Sequence, residues 1–594
     1  MTQSAHLPPQ PPRPPDPLLL GKPPVAPAAS EAGRLMCAGV YLDPAFRDQV
    51  IDELYVHEER LVAPSHGFDA ARVLAHALRA RRTELRYAAA VVAVWLLAWK
   101  LTGGLFLAYF LLPCLLLALA ARISRDKKNP PLRFVGGLVR WYARLLMALA
   151  FFGLGVNLYA GTHYERYDNA LVEFVFENGR LVDLEQLALP DDWQYWYTDY
   201  EGGFLENAWG VALFFLLLAG LAGLQRGRFS RMMAGELSPQ RYPDVRSDPA
   251  DGQPGVRFRR IQRLIRAEQH SPLIMYDTAA PFRGAGWPWD VWHLSVELRP
   301  RTDLGTRKPE QLDNEQLLGR IVKLVEALRV PSPRRDPAVA AAVLDRLREL
   351  VVDECVFLPA AGLPTRDAAP TRQGDFELHR AGSVEEGGEK RRHFLRIRVG
   401  GWDEDMVVTV YVRVHTQGGM LMLEFAPHVL PPVREAFQRA DDIAQRYRNN
   451  NRFGKLVWAL SHAPRSLTAA LATLGRGVVS LWRVLTAGHG GARPAGPERA
   501  VRELATDFRL SLFQRMDHDR YRKTIQDRVT EGVKLALYEA GWQTGEFEQK
   551  IVNLSAGSTY VDSVSHSAVN FGEKGTASNT NTVSGAKGAK GGGR

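Results

Sequence analysis

A long apolar stretch beginning at Tyr87 constrains this chain more than any other feature: "YAAAVVAVWLLAWKLTGGLFLAYFLLPCLLLALAARISRDKK". Its apolar part runs to Ala121 and is interrupted only by Lys100, a threonine and two glycines. About 20 apolar residues in a helix cross the hydrocarbon core of a bilayer, so this run is too long for one ordinary span. Cut at "TGG", it predicts two short spans, residues 86–101 and 105–121.

The flanks of this stretch favour a hairpin. Gly103 and Gly104 lack a Cβ atom and accept the positive φ of a tight turn. Basic sequences, "RARRTELR" and "RISRDKK", stand at both ends, and basic residues favour the cytoplasmic side. We therefore expect Lys100 at the outer tip, where its long side chain brings the ammonium group to water. In a single span, Lys100 would lie near the bilayer centre at a cost of roughly 2.5–3.5 kcal/mol. A re-entrant hairpin or a hairpin in a soluble core is the alternative.

Two further apolar segments, residues 140–160 and 205–224, complete an expected membrane domain of about four spans over residues 85–224. The outer loop between them, residues 161–204, is strongly acidic. Residues 161–206 carry eleven acidic residues and two arginines, a net charge of −9. Basic residues flank the other ends of the spans, which predicts a multi-pass plasma-membrane protein with both termini in the cytoplasm.

The region before the first span divides into a tail and a module. The proline-rich sequence of residues 1–33 predicts a disordered tail, or alternatively a ligand for a proline-binding partner. Residues 34–84 are expected to form a small helical module. Asp43, followed by Pro44, and Asp69 are the expected N-caps of its helices. No apolar core follows a basic start here, so no cleavable signal peptide is expected.

The region after the last span is expected to be cytoplasmic. Its Pro, Gly and Asp content predicts a linker at residues 225–254. An α+β domain is expected at residues 255–450, with strands at "SPLIMYD", "WDVWHLSVELRP", "DECVFLPA", "HFLRIRV" and "MVVTVYVRVHTQGGMLMLEFAP". Its expected helices are "NEQLLGRIVKLVEALRV", "DPAVAAAVLDRLRELVV" and "PPVREAFQRADDIAQRYRNN". Further helices are expected at residues 497–550, before a Gly-, Ser- and Asn-rich tail at residues 553–594 that is expected to be disordered.

Residues 453–487 are apolar but also basic. Their leucines and valines fall near one face of a helix, while Arg476 and Arg483 lie elsewhere around it. One interpretation is a helical pair packed on the preceding domain. The other is a helix on the cytoplasmic membrane surface, with Arg465, Arg476 and Arg483 close to anionic lipids.

Two aromatic segments are candidate binding surfaces. In the outer loop, Trp193 and Trp196 stand among acids such as Asp199, which suits an envelope ligand, a weak cation site or an interfacial aromatic belt. In the other, "PFRGAGWPWDVW" at residues 281–292, glycines allow a backbone to approach a ligand closely. Ordinary packing of a hairpin loop is the alternative there. The candidate ligand contacts of this loop are Arg283, Gly284, Gly286 and Trp287.

The composition limits the chemistry of the chain. The net charge is +10 with arginine far more frequent than lysine, a bias of GC-rich bacterial genomes, so a nucleic-acid partner is not predicted. Three widely separated cysteines support neither a zinc site nor a disulfide framework. Asp517, His518 and Asp519 are expected at an exposed helix start rather than in a metal site. The sequence contains no catalytic or cofactor motif, so neither a catalytic residue nor a cofactor is predicted.

These features together favour a bacterial membrane-anchored scaffold or sensor that presents a cytoplasmic domain to a protein partner. One alternative is an oligomeric membrane effector or pore that this domain regulates. Another is an enzyme with its site at the loop 281–292. An ion-coupled transporter is disfavoured, because few ionisable residues lie within the predicted spans.

Overall fold

A computed structural model describes ten parts of the chain: residues 27–124, 130–163, 208–252, 255–304, 308–329, 346–385, 388, 390–401, 405–487 and 491–555. Most of the predicted outer loop, including Trp193, Trp196 and Asp199, lies outside these residues, as do nearly all of both predicted tails. The end of the N-terminal tail is an exception. Helix α1 begins at Glu31 and Ser30 caps it, so the predicted tail ends earlier than residue 33.

The N-terminal module contains α1 (Glu31–Leu42), α2 (Pro44–Ile51), a π-helical turn and the start of α3 (Ala70–Leu101). The predicted caps are confirmed. The Asp43 carboxylate accepts a hydrogen bond from the Ala45 N–H (2.9 Å), and Asp69 accepts one from the Ala71 N–H (3.0 Å). Helix α3 then continues past residue 84, because no glycine or proline interrupts it. The helix of the module and the first predicted span are thus one helix.

Three described helices are long and apolar enough to cross a membrane: α4 (Leu105–Ile123), α5 (Pro130–His163) and α6 (Ala208–Ala234). The span predicted at residues 86–101 is the second half of α3. Between α3 and α4, Gly103 and Gly104 have φ angles of 55° and 91°, so the chain reverses at "TGG".

The apolar helices share an aromatic core. Phe106 and Phe110 of α4 are buried against Trp95 of α3 and against Phe214 and Phe215 of α6. Aromatic rings of this size bury much apolar surface, so they fix how the helices pack. The outward faces remain apolar and exposed, with large side chains such as Leu112 on α4, Phe152 on α5 and Leu216 on α6.

The segment predicted as a linker at residues 225–254 begins with the end of a helix and packs in part on the N-terminal module. Helix α6 continues to Ala234, and the following turns bury Tyr242 and Asp248 against the N-terminal module. The described part of this segment is therefore helical up to Ala234 and in contact with the module beyond it. Turn-forming composition identifies irregular backbone, but it does not show whether that backbone packs on a core.

The α+β domain is confirmed and has a curled seven-stranded sheet. The strand order is β1–β4–β5–β6–β7–β2, with β3 also paired to β7, and all pairs are antiparallel except β1 with β4. Its elements are α7 (Val256–Glu268), β1 (Leu273–Tyr276), β2 (Trp287–Pro288), β3 (Trp292–Glu297), α8 (Asn314–Glu326), β4 (Leu350–Pro359), α9 (Gln373–Val384), β5 (Arg392–Gly401), β6 (Met406–Gln417) and β7 (Met420–Leu430).

In the described part of the chain after the sheet there are seven α-helices. They are α10 (Glu435–Gln438), α11 (Ala440–Asn449), α12 (Arg452–His462), α13 (Ser466–Thr486), α14 (Val501–Leu504), α15 (Leu512–Glu539) and α16 (Gly545–Ser555). Helices α15 and α16 return to the sheet and, together with α8, cover one of its faces. The C-terminal helices therefore complete the core of the α+β domain.

Two helix predictions were wrong in part. In "DPAVAAAVLDRLRELVV", Leu350 to Val352 form the start of β4, since pairing with β5 outweighs a helical apolar spacing. The rest of that segment lies mostly outside the described residues. In "ERAVRELATDFRLSLFQRM", the helix stops after Leu504 and restarts at Leu512. Ser511 and Gln514 form a capping box that starts the new helix.

A second core, here called the shared core, joins the module to segments that precede and follow the sheet in the sequence. It unites residues of α1 to α3 with Met233 at the end of α6, Leu237 just after it, Val433 and Phe437 after β7, and Val501 on α14. Segments that are hundreds of residues apart in sequence thus pack as one unit. This core lies between the apolar helices and the α+β domain.

Candidate functional site

A carboxylate from a distant segment holds the loop 281–292 in place. Glu503 on α14 accepts hydrogen bonds from the backbone N–H groups of Gly284 (2.8 Å) and Gly286 (3.1 Å). Its other oxygen lies 3.5 Å from the guanidinium of Arg283. Burial raises the pKa of the Glu503 carboxyl, although these three partners favour its charged form.

The two glycines of this loop are needed for packing. Gly284 and Gly286 have φ angles of 99° and 95°, which disfavour other residues. A Cβ atom at Gly286 would lie 2.2 Å from the carbonyl oxygen of Val429, and one at Gly284 would lie 2.7 Å from that of Pro64. Trp287 pairs with Val429 in the sheet, and its ring centre lies 5.5 Å from that of Phe508. All four candidate ligand contacts of the loop therefore participate in its own packing.

The other side of the same loop closes a cleft of about 570 Å³, here called the sheet cleft. It lies on the face of the sheet opposite α8 and α15. Phe282 from the loop, Phe357 from β4 and Phe394 from β5 form its floor, with the Phe282 ring centre 5.3 Å and 5.6 Å from the other two. A side chain next to the predicted contacts thus lines the cavity, while the predicted contacts do not.

The edge of the sheet cleft is charged. Glu424 on β7 lies 3.1 Å from the guanidinium of Arg413 and 3.4 Å from that of Arg392. His293 and Ser295 on β3 line the same edge. A cavity of this volume, with an apolar floor and a few convergent polar groups, has the usual character of a small-ligand site. It suits a planar or branched apolar group with a polar end.

The thiol nearest this region is unreactive. Cys355 on β4 is fully buried in the small core behind the aromatic floor. Burial raises the pKa of the Cys355 thiol to about 12, so it stays protonated at neutral pH. Cys355 thus contributes packing to the sheet cleft and no nucleophile.

A buried ionic cluster lies in the core between the apolar helices and the domain. The Arg72 Nε donates to Asp248 Oδ2 (2.7 Å), and the His76 Nε2 donates to the same oxygen (3.0 Å). Arg72 also lies over the ring of Tyr242 at 3.6 Å. Burial raises the pKa of the Asp248 carboxyl, but the hydrogen bonds from His76 and Arg72 outweigh it and hold the pKa well below its ordinary value. The cluster locks α3 to the segment after α6.

The basic residues predicted for the membrane surface have different surroundings. Arg476 and Arg483 on α13 face the module and lie 3.6 Å from Asp48 and 3.2 Å from Asp52. Arg465 is exposed at the turn between α12 and α13.

The pair formed by α12 and α13 packs on the apolar helices rather than on the sheet, because Ala459, Leu467 and similar small or branched residues enter the core of the apolar helices. Lys100 is exposed in the last turn of α3.

His518 departs from its expected position. It lies inside α15 and is fully buried, with its ring centre 4.8 Å from that of Trp289. The expectation of an exposed helix start was wrong, because the helix begins earlier, at Leu512. Within the described residues, no group of three or more His, Cys, Asp or Glu side chains is placed to hold a metal ion.

Sequence reasoning missed Glu503 and Phe394. Glu503 is one of many glutamates, and its role depends on a contact across more than 200 residues, for which the sequence carries no local signal. Phe394 was visible only as one apolar residue of a predicted strand, "HFLRIRV". Its position in the cleft depends on the pairing of β4 with β5.

Part of the chain is similar to a known protein family. Residues 291–570, slightly less than half of the chain, match the family model described as an AbeC-like domain. The matched region begins just before β3 and extends beyond α16, so it contains most of the sheet together with the helices that complete its core. No curated protein and no solved structure matches the chain.

Proposed function

We propose that this chain is a non-enzymatic scaffold or sensor, built as an integral membrane protein of about four spans. In this proposal it presents its α+β domain at the cytoplasmic face of the plasma membrane. The observation that carries the proposal is the shared core, in which extensions of the apolar helices pack with segments on both sides of the sheet. A flexible tether would suffice to anchor a domain, whereas this core holds it in a fixed position.

The surface of the apolar helices supports insertion into a membrane. Large apolar side chains on α4, α5 and α6 are exposed, including Leu112, Phe134, Phe152 and Leu216. An apolar surface of this extent favours contact with lipid over contact with water. The long apolar sequences of these helices are also sufficient to cross the hydrocarbon layer.

The order of the helix ends supports the orientation. Helices α4 and α5 are antiparallel, since Tyr109 contacts Asn157 at one end and Ser124 contacts Arg140 at the other. Basic residues such as Arg122 and Arg140 therefore share an end. The "TGG" turn is at the opposite end, as are the ends of α5 and α6 from which the acidic segment departs. Basic ends favour the cytoplasm, which is the side that we assign to the α+β domain.

The sheet cleft gives the presented domain a place to bind. Its phenylalanine floor and its Arg392–Glu424 edge suit a small ligand, or an apolar side chain of a protein partner, with a polar group beside it. The shared core lies between the apolar helices and this domain. A ligand bound in the sheet cleft would therefore be held at a fixed position relative to the membrane. This arrangement serves a sensor as well as a scaffold.

Two measurements test the proposal on the full-length protein. Extraction of membranes with alkaline carbonate should leave the protein in the pellet, and release into the supernatant would refute integral insertion. Spin labels at Lys100→Cys and Glu377→Cys, both exposed positions, should give one narrow distance distribution. A broad distribution would refute fixed presentation of the domain. The three native cysteines are buried, so labelling should be specific.

A further inference from the structure

A second cavity, of about 670 Å³, lies where α3, α6 and the α12–α13 pair meet. We call it the interfacial cavity. Tyr87 lines it where the apolar part of α3 begins, and Ala222 and Gln225 line it where the apolar part of α6 ends. It therefore lies at the level where the helices change from an apolar to a polar surface. In a membrane, this is the level of the lipid headgroups.

The interfacial cavity has an excess of positive charge. Six arginines and two glutamates line it. Arg47 pairs with Glu84, and Arg79 pairs with Glu236, which uses both carboxylates. The four remaining arginines form no ion pair with any residue that the structure describes. These four are Arg226, Arg228, Arg231 and Arg465.

Arg226 is the most enclosed of the four. Its Nε is buried and has no hydrogen-bond partner within the described structure. Its guanidinium lies 5.3 Å from the ring centre of Phe229 and 5.8 Å from that of Trp458. Aromatic rings attract the cation weakly but accept none of its strong hydrogen bonds, so a donor is left for an anion. Guanidinium groups match phosphate oxygens in geometry as well as in charge.

The walls of the interfacial cavity are also apolar. Leu42, Phe229, Met232, Trp458 and Ala469 line it beside the arginines. The neighbouring helix α12 exposes Phe453, Leu456 and Val457. A free phosphate ion would leave this apolar surface exposed to water, whereas the glycerol and acyl carbons next to a lipid phosphate would cover it. Tryptophan is common at this depth in membrane proteins.

We propose that the interfacial cavity binds the phosphate headgroup of an anionic phospholipid from the adjoining leaflet. The four unpaired arginines hold the phosphate, and the acyl chains extend along the exposed apolar helices. This assignment rests on the proposed membrane insertion and deepens it. The sequence analysis expected Arg476 and Arg483 to attract anionic lipids in general, but they pair with Asp48 and Asp52. The interfacial cavity is a defined lipid site instead.

The test uses the full-length protein in neutral detergent. Thermal unfolding is followed with phosphatidylglycerol, with phosphatidylcholine, and with inorganic phosphate, each over a range of concentrations. We expect phosphatidylglycerol to raise the midpoint and the other two to have little effect. The variant Arg226→Gln/Arg465→Gln should bind phosphatidylglycerol at least tenfold more weakly, since the loss of two charge-assisted hydrogen bonds exceeds a factor of ten.

The matched control is Arg259→Gln/Arg263→Gln on α7, which removes the same charge from exposed positions away from the cavity. It should keep wild-type lipid binding. If the cavity variant does not fold, the single change Arg465→Gln at the exposed turn replaces it. An equal response to inorganic phosphate, or equal weakening in both variants, would overturn the lipid assignment.

The outcome separates the two proposals. A protein that resists carbonate extraction but shows no preference for phosphatidylglycerol would contradict the headgroup site alone. A protein that carbonate releases would contradict membrane insertion itself, whatever its response to lipids in detergent.

Discussion

The guanidinium of Arg72 and the carboxylate of Asp248 form an ion pair with a 2.7 Å separation, and both side chains are almost completely buried. Arg72 belongs to the helix that leads into the apolar region, and Asp248 belongs to the segment that leaves it. The pair therefore joins the two ends of the apolar part of the chain. A buried ion pair is weak evidence for net stability, and here it joins two segments that lie 176 residues apart in sequence.

The change Asp248→Asn tests this lock. It leaves the Arg72 charge buried without a full counter-charge, so we expect the free energy of unfolding to fall by about 3–5 kcal/mol. Thermal or denaturant unfolding of the detergent-solubilised protein would measure it. The matched change Asp367→Asn breaks an exposed pair with Arg260 and should cost less than about 1 kcal/mol. Equal effects of the two changes would contradict the role of the buried pair.

The loop glycines offer a second test. Gly286→Ala places a Cβ atom against the Val429 carbonyl at a φ of 95°, so we expect destabilisation by more than about 1 kcal/mol. Gly319→Ala, in the interior of α8 with open space around it, should instead stabilise the protein by about 0.5–1 kcal/mol. Unfolding midpoints of the two variants should therefore move in opposite directions. A stabilising Gly286→Ala would refute the described loop geometry.

The bond from Glu503 to the loop can be observed directly. In Glu503→Ala the N–H groups of Gly284 and Gly286 lose their acceptor, so their hydrogen exchange should become faster. Mass spectrometry of peptides covering residues 280–290 would detect the change. The control Glu435→Ala removes an exposed glutamate that pairs with Arg439, and it should leave these peptides unchanged. Unchanged exchange in Glu503→Ala would show that another group holds the loop.

A buried histidine on the sheet predicts a pH dependence. Burial lowers the pKa of His428 to about 4 from an ordinary 6.5, which outweighs its hydrogen bond to the Ala426 carbonyl. A lowered pKa means that the unfolded chain binds the proton more tightly. The contribution of His428 to the free energy of unfolding is therefore fully present above pH 6.5, and up to about 3 kcal/mol of it is lost as the pH drops from 6.5 to 4.

His428→Leu should flatten this part of the stability profile in acid. The control His293→Leu removes an exposed histidine of the same sheet, and its stability profile is compared with that of His428→Leu. Denaturant midpoints measured at four or five pH values would compare the slopes. A slope that persists fully in His428→Leu would assign the acid sensitivity to other groups.

Local signals explain which parts of the fold could be predicted. Asp43 with Pro44 and Asp69 act within their own helix turn, so their capping roles are legible in sequence. Strand alternation likewise gave β5, β6 and β7, whose two faces are determined residue by residue. The continuation of α3 past residue 84 was harder to predict. The composition changes there from polar to apolar, and such a change does not end a helix.

Non-local contacts explain the rest. Glu503 meets Gly286, and Arg476 meets Asp48, through folding that no short window contains. The apolar stripe of α13 predicted a helix, but its partners could be found only from the packing of α3 and α6. The residue of the loop that lines the candidate site differs from the predicted ones for the same reason. Phe282 lines the sheet cleft because the adjacent glycines are held against Val429 and Pro64.

The most direct test of the account is the accessibility of single cysteines to a membrane-impermeant maleimide in intact cells. Lys100→Cys and Arg180→Cys should react without permeabilisation, because we place the "TGG" turn and the acidic segment outside. Gln240→Cys, an exposed position beside the shared core, should react only after permeabilisation. Labelling of Gln240→Cys in intact cells, or protection of Arg180→Cys, would contradict the proposed presentation of the α+β domain at the cytoplasmic face.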